Sequence, residues 1–79
     1  MPKHADDIAA ILNARLQKKG GEVLTINWKD FYELSDMERM KEPRGQWIID
    51  SAWANYGLIV AYGHNVVLVA HDRNFAGAV

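Results

Sequence analysis

The stretch LIVAYGHNVVLVAH, residues 58–71, constrains the fold most, because it predicts a β-hairpin that is apolar on both faces. Side chains alternate between the two faces of a strand, so a hairpin with one solvated face should alternate apolar and polar residues. This stretch does not alternate. A turn at Gly63, His64 and Asn65 divides it into two strands. One face then carries Leu58, Val60, Tyr62, Val67 and Val69, and the other carries Ile59, Ala61, Val66, Leu68 and Ala70.

The hairpin keeps two apolar faces in either register. A slip of one residue exchanges the halves of the second strand and leaves both faces apolar. A chain of 79 residues can cover one face with its own helices, but covering both is harder. A contiguous apolar patch on a small protein marks an interaction site or an aggregation hazard, and an apolar edge strand invites strand addition. We therefore predict a protein interface, to a second copy or a larger complex, at Ile59, Ala61, Val66, Leu68 and Ala70; the alternative is a set of ordinary exposed apolar side chains.

Length, charge and cysteine content exclude several classes of protein. The length predicts one domain over residues 1–79. With no cysteine, the chain has neither a disulfide framework nor a thiolate zinc site, and this fits a reducing cytoplasm. The net charge of −1 lacks the basic excess of a dedicated nucleic-acid binder. The N-terminus has no apolar run of a signal peptide, and each half of the hairpin is far shorter than the ~20 residues of a membrane span. We expect a cytoplasmic, soluble protein.

The first half of the chain predicts a helix, a strand and further helix. Apolar residues recur at helical spacing over residues 5–19, and Gly20 and Gly21 then end the helix. Residues 22–26 predict a short strand. Asn27 is a good N-cap for a helix that begins at Trp28. A second capping pattern at Ser35 predicts that residues 28–42 form two short helices broken near this serine; the alternative is one bent helix.

The second half predicts a longer helix followed by the hairpin. Pro43 is favoured at a first helical position, and Gly57 ends the helix that covers residues 44–56. The hairpin follows. Residues 72–79 predict a loose tail, anchored only by Phe75. On the helix we expect five side chains to be buried, namely Ile48, Ile49, Ala52, Trp53 and Tyr56.

This order of helix, strand, helix, helix, strand, turn and strand resembles the winged helix, a helix-turn-helix variant. The resemblance covers residues 5–71 and rests on the order and length of the elements. It implies an α+β fold with a three-stranded antiparallel sheet. It also implies that residues 44–56 occupy the position of the recognition helix, and that Gly63, His64 and Asn65 form the tip of the wing.

A recognition helix would make the chain a DNA-binding regulator. Its outward face should present Arg44, Trp47, Asp50, Ser51, Ala54 and Asn55. Arginine, serine and asparagine can bond to base edges or phosphates, whereas Asp50 would repel phosphates. Arg39 and Lys41 precede the helix and could, with Arg44, contact a phosphate backbone or an acidic protein, with His64 at the wing. Glu38 and Glu42 are interleaved with these cations, so the alternative is a solvated charged loop. The alternative is a solvated face, with Trp47 as a protein-interface anchor.

Metal binding and catalysis find little support in the sequence. At a strand rise of ~3.3 Å per residue, His64 and His71 lie on the order of 20 Å apart, too far for one ion. Ser35 and Ser51 have no glycine elbow and no obvious histidine base, and no glycine-rich phosphate loop is present. We expect no cofactor, no small-molecule substrate and no enzymatic activity.

Two functions are therefore compatible with the sequence. The first is a non-enzymatic protein-binding module that forms a homodimer, or that docks on a larger complex and modulates it. Small inhibitors of the phage type, including anti-CRISPR proteins, are similar in size and economy. The second is a winged-helix transcriptional regulator that binds DNA.

Overall fold

The computed structural model describes residues 3–75, with side chains up to residue 73. Within this part the chain forms three α-helices, three strands and a final 3-10 turn, so the α+β class is confirmed. The elements in chain order are α1 (Ala5–Lys18), β1 (Val23–Asn27), α2 (Trp28–Ser35), α3 (Arg44–Tyr56), β2 (Leu58–Tyr62), β3 (Val66–His71) and η1 (Asp72–Phe75).

Helix α1 supplies one wall of the core. Its apolar residues recur at helical spacing, so they form one stripe that faces the sheet and α3. After Lys19 the backbone turns through Gly20, whose φ of +106° suits glycine, and the Gly21 N–H donates to the carbonyl oxygen of Leu16 at 2.8 Å. The fully buried residues of the stripe are Ile8, Ala9, Leu12 and Leu16.

Helix α2 begins at the predicted cap and ends at Ser35. The Asn27 side chain accepts a hydrogen bond from the Asp30 N–H at 2.8 Å. The predicted break is confirmed, but the second short helix is wrong, because residues 36–43 form turns without helix. The Ser35 hydroxyl donates back to the Phe31 carbonyl oxygen at 2.6 Å, so it does not cap a following helix. Asp36 then takes the left-handed conformation.

Helix α3 has the predicted bounds, and Gly57 ends it with a φ of +66°. Pro43 stands just before the helix instead of at its first position. Ile48 and Ala52 are buried as expected, but the prediction for Trp53 is wrong, because its side chain is 56% exposed. Five residues turn a helix by roughly 500°, so Trp53 lies about 140° around the helix from Ile48 and points away from the core.

The three strands form one antiparallel sheet in the order β1-β3-β2. The hairpin takes its unslipped register, with Val60 opposite Val69 and Ala61 opposite Leu68. The predicted inner face is confirmed, because its side chains pack with the helices in one core. Part of the predicted loose tail is wrong, since η1 is ordered as a 3-10 turn; the side chain of Phe75 and residues 76–79 lie outside the described part.

An aromatic cluster ties α2 to the end of the hairpin. Trp28 contacts Phe31, Tyr32 and Tyr62, with ring centroids between 5.5 and 5.8 Å apart. The indole N–H of Trp28 also donates to the carbonyl oxygen of Gly63 at 3.0 Å. The helix and the hairpin turn are therefore held together by both ring packing and a hydrogen bond.

Candidate functional site

One face of the sheet points away from the helices, and we call it the outer sheet face. It comprises Val23, Thr25, Asn27, Ile59, Ala61, Val66, Leu68 and Ala70. The hairpin residues of this face are those that the sequence predicts as an interface. None of the eight residues is ionisable, and the two polar ones both lie on β1. The outer sheet face is therefore an apolar strip with a polar margin along one edge.

Exposure varies along this face. Val23, Ile59 and Val66 are each more than a third exposed, whereas Leu68 is half-buried. Ala70 is only 1% exposed, because it sits on the central strand directly between Val23 and Ile59. It can therefore support a contact surface but offers almost no surface of its own.

Strand β1 widens the face beyond what the hairpin alone predicts. Thr25 lies opposite Leu68, and Val23 lies opposite Ala70. The sequence predicts a strand at this position but gives no register against the hairpin, so the contributions of Val23 and Thr25 could not be assigned. The alternation of β1, with Ile26 buried and its neighbours exposed, is the signal that places Val23 and Thr25 on the outer side.

Helix α3 presents two exposed tryptophans. Trp47 is 54% exposed, as predicted, and Trp53 is the second, which sequence reasoning missed. Exposed tryptophans are uncommon on monomeric surfaces and are enriched at the centres of protein interfaces. The two side chains lie on different flanks of the helix, roughly 120° apart at 100° per residue.

The polar side chains of α3 are already bonded within the chain. The Ser51 hydroxyl donates to the Asp6 carboxylate, and the Asn55 amide donates to the Ser51 hydroxyl at 3.1 Å. Gln46 donates to the Asp50 carboxylate at 2.9 Å. A base edge or a phosphate would have to compete with these bonds and would meet two carboxylates on the same face.

The predicted cations lie in one open groove between α2 and α3. Arg39, Lys41 and Arg44 line it, and Lys29 joins them from α2. Carboxylates alternate with these cations, so the groove has no strong excess of positive charge. His64 is exposed in the hairpin turn and does not line the groove. The acidic residues of the lining are Glu33, Asp36 and Glu38.

A second groove runs between the segment before α1 and the outward face of α3. Its walls include Trp47, and Arg44 connects it to the first groove. Its charged lining is again mixed, with Lys3 and Arg44 beside Asp6 and Asp50. Lys3 also donates to the Leu34 carbonyl oxygen at 2.9 Å. Neither groove therefore concentrates one sign of charge.

Two titratable side chains lie in or near the core. The ring nitrogen Nε2 of His71, which is buried, lies 2.8 Å from the Gln17 amide nitrogen. Burial raises the pKa of Tyr62 far above its usual range, and the charge of Glu42 raises it further. Tyr62 therefore stays a neutral hydrogen-bond donor. Among the residues that the structure describes, no group of three or more His, Asp or Glu side chains could hold a metal ion.

None of the helices in the described part has the length and apolar content that crossing a bilayer requires. Neither a family model, nor a curated protein, nor a solved structure matches this chain.

Proposed function

We propose that this chain is a non-enzymatic protein-binding module that self-associates or docks on a larger protein complex to modulate it. The observation that carries the proposal is the outer sheet face, which is apolar on β2 and β3, is bordered by β1, and contains no ionisable side chain. Removing such a surface from water is favourable by roughly 25 cal/mol per Å² of apolar area. A small phage-type inhibitor such as an anti-CRISPR protein is one module of this kind.

The exposed tryptophans and the charge distribution support a protein partner over a nucleic acid. Trp47 and Trp53 offer large apolar contact areas on α3. The grooves beside α3 combine cations with carboxylates, whereas a phosphate backbone is bound by surfaces with a positive excess. Partner recognition would then depend mainly on apolar contacts.

Light scattering and site-specific crosslinking test this function. We expect a mass above that of the monomer at high concentration. A photo-crosslinker placed at Ile59, on the outer sheet face, is expected to capture a defined protein, and Leu68→Glu is expected to abolish that capture. The matched controls are a crosslinker at Ala10 and the variant Ala14→Glu, because both residues are exposed on α1. A clean monomer that captures no protein from position 59 would contradict the proposal.

A winged-helix DNA-binding regulator is the second candidate. The element order and the sheet order β1-β3-β2 support a winged-helix-like arrangement, and the approach of Arg39, Lys41 and Arg44 to one another favours a phosphate contact. In this function α3 would enter the major groove with Ser51 and Asn55.

A gel shift with random duplex DNA at low salt tests the second candidate. Phosphate contacts give even non-specific binding under these conditions, so a regulator should shift the duplex at micromolar protein. Asp50→Asn should strengthen that shift, because it removes a negative charge from the outward face of α3. The absence of a shift for both proteins would exclude the DNA function.

A further inference from the structure

The hydrogen bonds at the two ends of the β2–β3 ladder determine which backbone groups the sheet leaves unpaired. The Gly63 N–H donates to the Val66 carbonyl oxygen at 2.8 Å, and the Asp72 N–H donates to the Gly57 carbonyl oxygen at 3.1 Å. The register is continuous between these two pairs. Because bonded and non-bonded pairs alternate in an antiparallel ladder, every second residue of β2 bonds to β3.

Strand β2 is an edge whose outward-directed backbone groups are largely covered. By this alternation Ile59 and Ala61 bond to β3, and Leu58, Val60 and Tyr62 direct their N–H and C=O groups outward. Leu58 is 1% exposed and Val60 is 5% exposed, and both values include the backbone. A further strand could not reach these groups without moving the residues that cover them.

Strand β1 is the open edge. The residues of β3 that do not bond to β2 bond to β1 instead. In the observed register these lie opposite Leu24 and Ile26, so Leu24 and Ile26 bond to β3. Val23 and Thr25 then direct their N–H and C=O groups away from the sheet, and Asn27 directs its N–H the same way, whereas the Asn27 C=O accepts the first hydrogen bond of α2. All three residues are exposed. Natural edge strands are protected by charges, prolines or covering elements. β1 contains no charged residue and no proline.

We propose that β1 of a second copy adds antiparallel to this edge, with a two-fold axis that passes between the Thr25 residues of the two copies. This inference rests on the self-association put forward above and gives it a site. The two sheets then form one sheet of six strands. The outer sheet faces of both copies lie on the same side of this sheet, and their polar margins on β1 meet at its centre. The apolar strip of each copy therefore stays available to a larger partner.

The pattern of β1 favours a second copy as the occupant. Val23 and Asn27 lie two residues on either side of Thr25, so the two-fold axis places Thr25 opposite Thr25 and Val23 opposite Asn27. In the second pair the Asn27 N–H would donate to the Val23 C=O of the other copy. Threonine pairs across strands are favourable, and no like charges meet in this register.

Thr25→Pro tests the pairing without disturbing the fold. The N–H of Thr25 points away from β3, so proline removes no hydrogen bond of the β1–β3 ladder while it blocks the open edge. We expect the wild-type protein to be a dimer by light scattering, and Thr25→Pro to halve the measured mass with an unchanged circular dichroism spectrum. The matched control Thr25→Val keeps the N–H and should remain dimeric.

Hydrogen exchange of the wild-type protein gives a readout that needs no variant. The Thr25 amide should exchange quickly at low concentration and more slowly as the dimer forms, whereas the Leu24 amide should be protected throughout. An exchange rate of Thr25 that does not depend on concentration would overturn the proposal.

The outcomes separate this inference from the proposed function. Leu68→Glu is expected to remain a dimer, because the outer sheet face lies beside the new strand pair and not within it. A Thr25→Pro protein that stays folded and dimeric would reject the edge pairing and leave self-association standing. A wild-type monomer would reject both, and docking on a larger complex would then depend on the crosslinking result from Ile59.

Discussion

The hydroxyl of Tyr62 donates a hydrogen bond to the backbone carbonyl oxygen of Gly45, 2.7 Å away. This bond joins the last residue of β2 to the first turn of α3. Glycine permits the approach, because a Cβ atom at this position would lie 3.3 Å from the Tyr62 ring and 2.9 Å from the Glu42 carboxylate. This pair therefore helps to hold the start of α3 against the end of β2.

Removal of the Tyr62 hydroxyl should weaken the fold measurably. Tyr62→Phe keeps the ring packing but leaves the Gly45 carbonyl oxygen without this partner, so we expect a loss of about 1–2 kcal/mol in the free energy of unfolding. Urea unfolding followed by circular dichroism measures the loss. Tyr56→Phe is the matched control, because the Tyr56 hydroxyl makes no hydrogen bond within residues 3–75. Equal losses in the two variants would show that the bond to Gly45 contributes nothing.

Stability should fall at alkaline pH, and Tyr62 should cause part of the fall. Burial holds the pKa of Tyr62 in the folded protein above that of an unfolded tyrosine, which is about 10. Above that pH the unfolded state loses a proton that the folded state keeps, so the free energy of unfolding decreases as pH rises. Urea unfolding between pH 8 and 11 should show a shallower decrease for Tyr62→Phe than for the wild type. Parallel curves would contradict this assignment.

The end of α3 should tolerate asparagine better than alanine. Gly57 has a φ of +66°, and no atom lies within 4 Å of a Cβ built there, so strain arises from the backbone alone. We expect Gly57→Ala to cost about 1 kcal/mol and Gly57→Asn less, because asparagine enters the left-handed region more readily. Thermal or urea unfolding of the two variants measures the difference. A larger loss for asparagine would indicate a steric cause that the structure does not contain.

Local rules predicted most of the helices and strands. The cap at Asn27 and the terminator at Gly57 act through their own neighbours, so sequence was enough to place them. The prediction of a second short helix was wrong because the Ser35 hydroxyl donates to the carbonyl oxygen of Phe31 in the preceding turn. This bond depends on the burial of Ser35 in the tertiary fold. The predicted burial of Trp53 was wrong because the width of the buried stripe on α3 is determined by the elements that pack against the helix.

The candidate site was predictable only in part, for the same reason. Alternation within the hairpin identified both of its faces, and the inner one follows from the helices that precede it. The contribution of Val23 and Thr25 required the β1–β3 register, which depends on long-range pairing. The bond of Ser51 to Asp6 also required the approach of α1, 45 residues away in sequence, whereas the bond of Asn55 to Ser51 is a local pair one helical turn apart.

The three tryptophans should separate into one structural residue and two surface residues. Trp28→Phe removes the donor to the Gly63 carbonyl oxygen and shrinks a packed ring, so we expect a loss of about 1–2 kcal/mol. Trp47→Ala and Trp53→Ala should each change the free energy of unfolding by less than ~1 kcal/mol, because surface substitutions usually lie within about ±0.5 kcal/mol. Urea unfolding gives these values, and acrylamide should quench the fluorescence of Trp47 and Trp53 more strongly than that of Trp28. If Trp53→Ala proved as costly as Trp28→Phe, its side chain would belong to the core, as the helical spacing alone predicts.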